Sequence, residues 1–240
     1  MGGFATASDD ILRNILFRLP ASSFASAACV NNSWNKVCDT VLACPKLATA
    51  LSLNPSLPDA VKDVLDKVLS DPILPQFAIA SIGLQFSLEA AHQLITQKLG
   101  SKVSVVTSTA CRIIGRDVIT HRMKEVRWHM IPEPDGSVSR EFIEFNRGIL
   151  LIVGYLPGLK GPGITMVSKF LMDIKNYTAS VSGLVPPEGM IVFGDQRVDL
   201  NPILAEIDCV MPEETVIVGD ACSRLICKTG HNSQAYDSDL

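Results

Sequence analysis

The best-placed candidate nucleophile in this sequence is Cys111, which follows the apolar Val105-Val106 and closes a Ser/Thr-rich turn, Ser108-Thr109-Ala110-Cys111. A catalytic cysteine needs a base beside it and a third group to orient that base. The four histidines are His92, His121, His129 and His231, and no local signature pairs any of them with Cys111. A structural, half-buried thiol is the preferred reading. Cys222 and Cys227 would ligate a metal only with partners the sequence does not offer, since His231 lies in a polar tail. The seven cysteines (Cys29, Cys38, Cys44, Cys111, Cys209, Cys222 and Cys227) form an odd set without the paired spacing of zinc or redox sites. The glycine-rich stretch Gly154–Gly163 contains Lys160, but no Gly-Lys-Ser/Thr follows. Pro157 and Pro162 also remove amides that a phosphate cradle would use. Glu213-Glu214, Asp237 and Asp239 read as solvated ends. No catalytic set, metal site or cofactor is expected, so the chain reads as a non-enzyme.

The composition sets the frame for what else the chain can be. At 240 residues, one large or two unequal domains are the natural expectation. Hydrophobic residues make up 47% and charged residues 19%, which is too apolar for disorder and ample for a buried core. The longest apolar run, Gly148–Leu156, is about half the roughly 20 residues of a membrane-spanning helix and reads as a buried strand. The start, MGGFATASDD, has neither a basic nor an apolar signal region, so an intracellular, reducing compartment (cytoplasm, nucleus or both) is expected. Met1-Gly2 with Thr6 meets the loose N-myristoylation pattern, which chance meets often. With a net charge of −4 and no basic stripe, neither nucleic acid nor membrane is an expected partner. The densest cationic stretch, His121–Arg127, is interrupted by Glu125 and reads as a solvated strand face.

The first 50 residues carry the clearest pattern. Ile11, Leu12, Ile15, Leu16 and Leu19 recur at helical offsets behind Ser8 and Asp9, either of which can cap the helix. Pro20 stops it. Ser22 or Ser23 can then cap a second helix bearing Phe24, Ala27, Ala28 and Val30. A third carries Trp34, Val37, Val41 and Leu42 and ends before Pro45. Three short helices in about 40 residues cannot bury such a ridge alone, and leftover apolar surface marks an interaction site. The run from Asp9 to Leu47 resembles an F-box, in its paired aliphatics, Leu19-Pro20, Phe24, and Val30 four residues before Trp34. It departs from that pattern at Ala7-Ser8, where Leu-Pro is usual, and at Asn31, where Cys is usual. The resemblance implies that Ile11, Leu12, Ile15, Leu16, Leu19, Pro20, Phe24 and Val30 meet a Skp-type adaptor, with Trp34 packing the module. An ordinary three-helix cap on the second domain is the alternative.

Beyond Pro45 and Asn54–Pro58, which mark a boundary, apolar runs alternate with helical patterns. Ser56-x-x-Asp59 reads as a capping box before a helix with Val61, Val64, Leu65 and Val68. Strands are expected at 76–84, 102–107, 118–129, 138–145, 148–156, 190–193 and 215–218, and helices at 88–99, 166–177 and 202–209. The alternation predicts an α+β protein: a small three-helix module over 8–47, a mixed α/β domain with helices packed on a sheet over 48–230, and a flexible tail over 231–240. Val105–Cys111 and Val216–Cys222 share a faint echo, an apolar strand followed by Ala-Cys. Ser108–Gly115, Gly154–Gly158 and Pro187-Glu188-Gly189 together resemble the FIST domain, of which this chain would hold the N-terminal part. The double resemblance implies a substrate-recognition subunit of an SCF-type cullin–RING ubiquitin ligase, carrying an unknown target toward proteasomal degradation. It also leaves open a small-ligand, amino-acid-like sensing module in intracellular signalling, with a pocket at Ser108, Thr109, Cys111, Gly115, Tyr155, Pro157 and Gly158.

Overall fold

A computed structural model describes residues 9–110, 112–127, 147–157, 159, 188–195 and 199–228, without the side chains of residues 127, 206, 210, 221 and 222. Three helices come first: α1 (Asp9–Leu16), α2 (Ala21–Ala28) and α3 (Asn32–Leu42). Asp9 and Asp10 sit in the first turn of α1, where negative charge meets the positive helix end. α2 opens directly behind Pro20, and neither Ser22 nor Ser23 caps it. Proline's fixed φ and missing N–H suit a helix entry. Asn31 caps α3, its Oδ1 accepting the Trp34 amide at 2.9 Å. The residue that departs from the F-box pattern thus has a structural task that cysteine performs poorly.

Five strands form the main sheet in the order β1-β6-β2-β3-β9: β1 (Lys46–Ser52), β6 (Ile149–Tyr155), β2 (Phe77–Ile82), β3 (Ser104–Thr109) and β9 (Leu225–Lys228). The β2–β3 pair is parallel and bridged by α5 (Leu88–Leu99), while α4 (Leu57–Val68) connects β1 to β2. β6 inserts antiparallel between β1 and β2. Alternation selects the buried set: Ala78, Ala80 and Ile82 on β2, and Ile149, Leu151 and Val153 on β6, are fully buried. They pack with Val61, Val64, Leu65 and Val68 of α4 and with Leu88, Ala91 and Ile95 of α5 in one core. Ser87 caps α5 through the Ala90 amide, and Gly100 closes it at φ +87°, a conformation that favours glycine. α4 starts behind Ser56 as the spacing predicts, but the Ser56 side chain makes no cap bond.

The expected long strand over 118–129 is instead a hairpin, β4 (Arg112–Arg116) with β5 (Met123–Arg127). Its turn is held by Asp117, whose Oδ1 accepts the Ile119 and Thr120 amides, and by His121 at φ +56°. Asp117 also bridges to Leu51, fastening the hairpin to the sheet. β1 begins at Lys46, so the boundary expected at 47/48 falls inside a strand.

Residues 160–225 form a compact unit of their own, which divides the α/β region expected as one domain over 48–230. In it, β7 (Gly189–Asp195) and β8 (Val216–Ser223) pair in parallel, and Ile203, Ile207 and Met211, on and just past α6 (Asn201–Val210), pack on Met190, Val192 and Leu200. The strand expected at 138–145, the helix at 166–177 and the tail over 231–240 lie outside the described residues. Among the described residues, no helix is long and apolar enough to cross a membrane.

Candidate functional site

The ridge on α1 divides in two. Consecutive helical residues point about 100° apart, so a stripe built from neighbouring pairs has two edges. Leu12 and Leu16 turn inward and are buried with Phe24, Ala27, Val37, Cys38 and Val41, while Leu19, Ala28, Trp34 and Leu42 pack partly against them. Ile11 and Ile15 turn outward and stay 55% and 44% exposed. Val30, just past the α2 C-cap, is 59% exposed, and Pro20, just ahead of α2, is exposed as well. Of the eight residues expected at an adaptor and Trp34 expected to pack the module, Leu12, Leu16 and Phe24 therefore belong to the module's own core. Leu19 and Trp34 are half-buried at its rim, and Ile11, Ile15, Pro20 and Val30 face outward.

Phe17 was not among the expected residues and is 52% exposed. It lies outside the five-position helical stripe, and only its size and apolarity mark it in the sequence.

Among the described residues, those expected at a ligand pocket do not all converge. Ser108 and Thr109 align with Leu150 and Ile149 at one end of the sheet, through Ser81 and Ile82. Tyr155 pairs with Lys46 at the opposite end of β6. Six strand steps separate Ile149 from Tyr155, about 20 Å at the usual rise. One small pocket cannot be lined by both ends. Gly115 belongs to the Ser108 end, where a Cβ would stand 2.6 Å from Leu150 Cδ1, so the glycine there permits close packing. Cys111 and Gly158 lie outside the described residues.

The titratable groups outside these sites have structural settings. Burial pushes the Cys227 thiol up to about 11, and burial followed by the charge of Asp39 raises that of Cys38. Both changes disfavour the thiolate that nucleophilic chemistry needs. His92 sits at the core edge, its Nδ1 3.0 Å from Thr107 Oγ1, and burial followed by the charge of Lys228 lowers its pKa. At Asp117 burial opposes the charge, but bonds from Lys124 and from the Ile119 and Thr120 amides outweigh it and lower the pKa. Among the described residues, no group of three or more His, Cys, Asp or Glu side chains is placed to hold a metal ion.

Comparison with known proteins bears on the helical module and on the chain as a whole. The chain is 40% identical over 251 aligned residues to an F-box/LRR-repeat protein of Arabidopsis thaliana. That alignment covers 98% of this chain and 46% of the relative, so the chain spans about half the length of the curated relative it matches. Residues 8–43, the segment that contains α1 to α3, match the F-box domain.

Proposed function

We propose that this chain works as a substrate-recognition subunit of an SCF-type cullin–RING ubiquitin ligase. In this reading α1 to α3 bind a Skp-type adaptor, and the α/β region presents a target for ubiquitination and proteasomal degradation. The observation that carries the reading is the outward edge of the helical ridge. Ile11, Ile15 and Val30 remain in water although the bundle has already filled its own core with Leu12, Leu16 and Phe24. F-box domains bind Skp-type adaptors, and the match over residues 8–43 supports assigning that exposed surface to one. The chain's role is scaffolding, with no bond made or broken by its own side chains.

Burying the part of these three side chains that is still exposed contributes roughly 1 kcal/mol each before association costs. That is a contribution a partner surface can use. The FIST-type reading of the α/β region rests on Ser108–Gly115 and Gly154–Gly158. The described residues of the two segments lie at opposite sheet ends, so in this reading a small ligand would meet Ser108, Thr109 and Gly115 without Tyr155.

The test is capture by a purified Skp-type adaptor. Ile11→Asp with Ile15→Asp charges the exposed edge and leaves the buried one alone, so the helices should stay folded while capture is lost. Undiminished capture by this folded double variant would refute the reading. Leu16→Asp is unsuitable as a probe because it places a charge in the module's core, where loss of binding and loss of fold coincide.

A further inference from the structure

We infer that the three-helix module and the five-stranded sheet are clasped into one rigid body, so that a partner on the helices is held at a fixed orientation to the sheet. The two parts have separate hydrophobic cores, one around Leu16 and one around Val64 and Leu151. Parts joined without a large shared apolar interface move relative to one another by default. Three features oppose that here, and both parts belong to the same compact unit.

The first is a meeting of helix ends. The opening amides of a helix and its closing carbonyls have no partners inside it. Pro20 precedes α2 and its side chain supplies no cap. The Ala21 amide instead donates to the Ser70 carbonyl at 2.8 Å, just beyond the C-cap of α4. A donor-rich helix start thus meets an acceptor-rich helix end, and each satisfies a group the other leaves over.

The second is Lys46, the first residue of β1. Its Nζ donates to the Pro72 carbonyl at 2.9 Å and lies 5.3 Å from the centroid of the Phe17 ring, just past α1. One ammonium therefore touches the helical module and the segment after α4 at once, through a hydrogen bond and a cation–π contact.

The third is the connector. Only Ala43, Cys44 and Pro45 separate α3 from β1. Pro45 fixes its own φ, and Cys44 is held by Arg13 Nη2 at 3.0 Å and by its own bond to the Thr40 carbonyl at 3.4 Å. A three-residue connector with both neighbours engaged has little freedom to swing.

The consequence for target presentation rests on the adaptor reading, but the rigidity does not, and its test uses the free 240-residue chain. Backbone 15N relaxation should fit residues of α1–α3 and of β1, β2, β3 and β6 to a single rotational diffusion tensor. Ala21→Pro removes the donor amide at a helix position that tolerates proline, and Pro20 already has the extended backbone (φ −57°, ψ 151°) that a following proline requires. Combined with Lys46→Met, it should split the helices from the sheet, shortening their effective correlation time while their own helical chemical shifts persist. Separate tensors in the unaltered chain would overturn the inference. A common tensor that survives the double variant would overturn the clasp as its cause.

Discussion

The helical module and the sheet solve the problem of burial with very different resources. The sheet has α4 and α5 across one face and buries Val64, Ile82, Ile95, Ile149, Leu151 and Val153 almost completely. The module has only three helices of 8, 8 and 11 residues, and its core is seven side chains, Leu16 and six around it. A small unit has more surface for each buried residue, so part of its apolar complement stays in water. The difference teaches how to read exposure. In the sheet, an apolar residue that recurs with the period is there to be covered by this chain. On α1, Ile11 and Ile15 recur with the period and are not covered by it.

The largest expected effect separates those two kinds of residue. Ile95→Ala empties a fully buried site and should cost about 2–5 kcal/mol in urea unfolding. Ile15→Ala should cost less than about 1 kcal/mol, because nearly half of the residue is already exposed to water. Similar losses for the two would break the distinction between a covered and an open ridge. A smaller cost is expected where sheet strands close on a missing side chain. At Gly154 a Cβ would stand 2.3 Å from the Phe77 ring and 2.7 Å from Leu47 Cδ2. Gly154→Ala should cost about 1–3 kcal/mol by overpacking, and a neutral result would mean the Phe77 ring swings aside freely.

Caps sharpen the comparison at the next level down. Asn31 makes its cap bond and Ser56 does not. Asn31→Ala should therefore cost about 1 kcal/mol and Ser56→Ala less than about 0.5 kcal/mol. The cost of Asn31→Ala should fall on the amides of α1–α3, read as loss of hydrogen-exchange protection there. Equal losses at the two caps would mean that the side-chain bond is not what starts α3.

The elements that were legible share strong local signals. α1, α3, α4 and α5 carry apolar residues at helical spacing, and β2, β3 and β6 carry alternation or apolar runs bounded by turns. β1 was harder to find because Ala48, Thr49 and Ala50 are small and Pro45 reads as a boundary, although the strand runs from Lys46. The β4–β5 turn was invisible for a different reason. It contains no Gly, Pro or Asn and is made by the Asp117 carboxylate and the left-handed backbone of His121. The placement of β6 between β1 and β2 is a non-local pairing, and no window of sequence contains it. At the candidate adaptor surface the residue types were legible, but the direction each one faces was not. The pattern groups Ile11 with Leu12 and Ile15 with Leu16, and only the packed neighbours α2 and α3 decide which of each pair goes inside.

The smallest expected effect tests the sheet's own edge and depends on sign. His92 is held at α5 against Thr107, and its pKa lies below the ordinary value of 6.5 because burial and then Lys228 disfavour the charged ring. The folded chain therefore binds fewer protons than the unfolded chain below about pH 6.5, and unfolding gains on acidification. Stability should be level above that pH, fall as the pH drops through the interval between the unfolded and folded values, and level off once both states are protonated. The fall should be seen in urea midpoints as the pH drops below about 6.5, starting above the range where ordinary carboxylates titrate. His92→Gln keeps a polar group near Thr107 and removes the titration, so its midpoint should be flat over the same interval. Exchange protection should weaken in α5 and β3 with the wild-type fall and stay unchanged in α1–α3. An equal slope in the variant would assign the proton uptake to a different group and leave the His92–Thr107 contact without influence on acid stability.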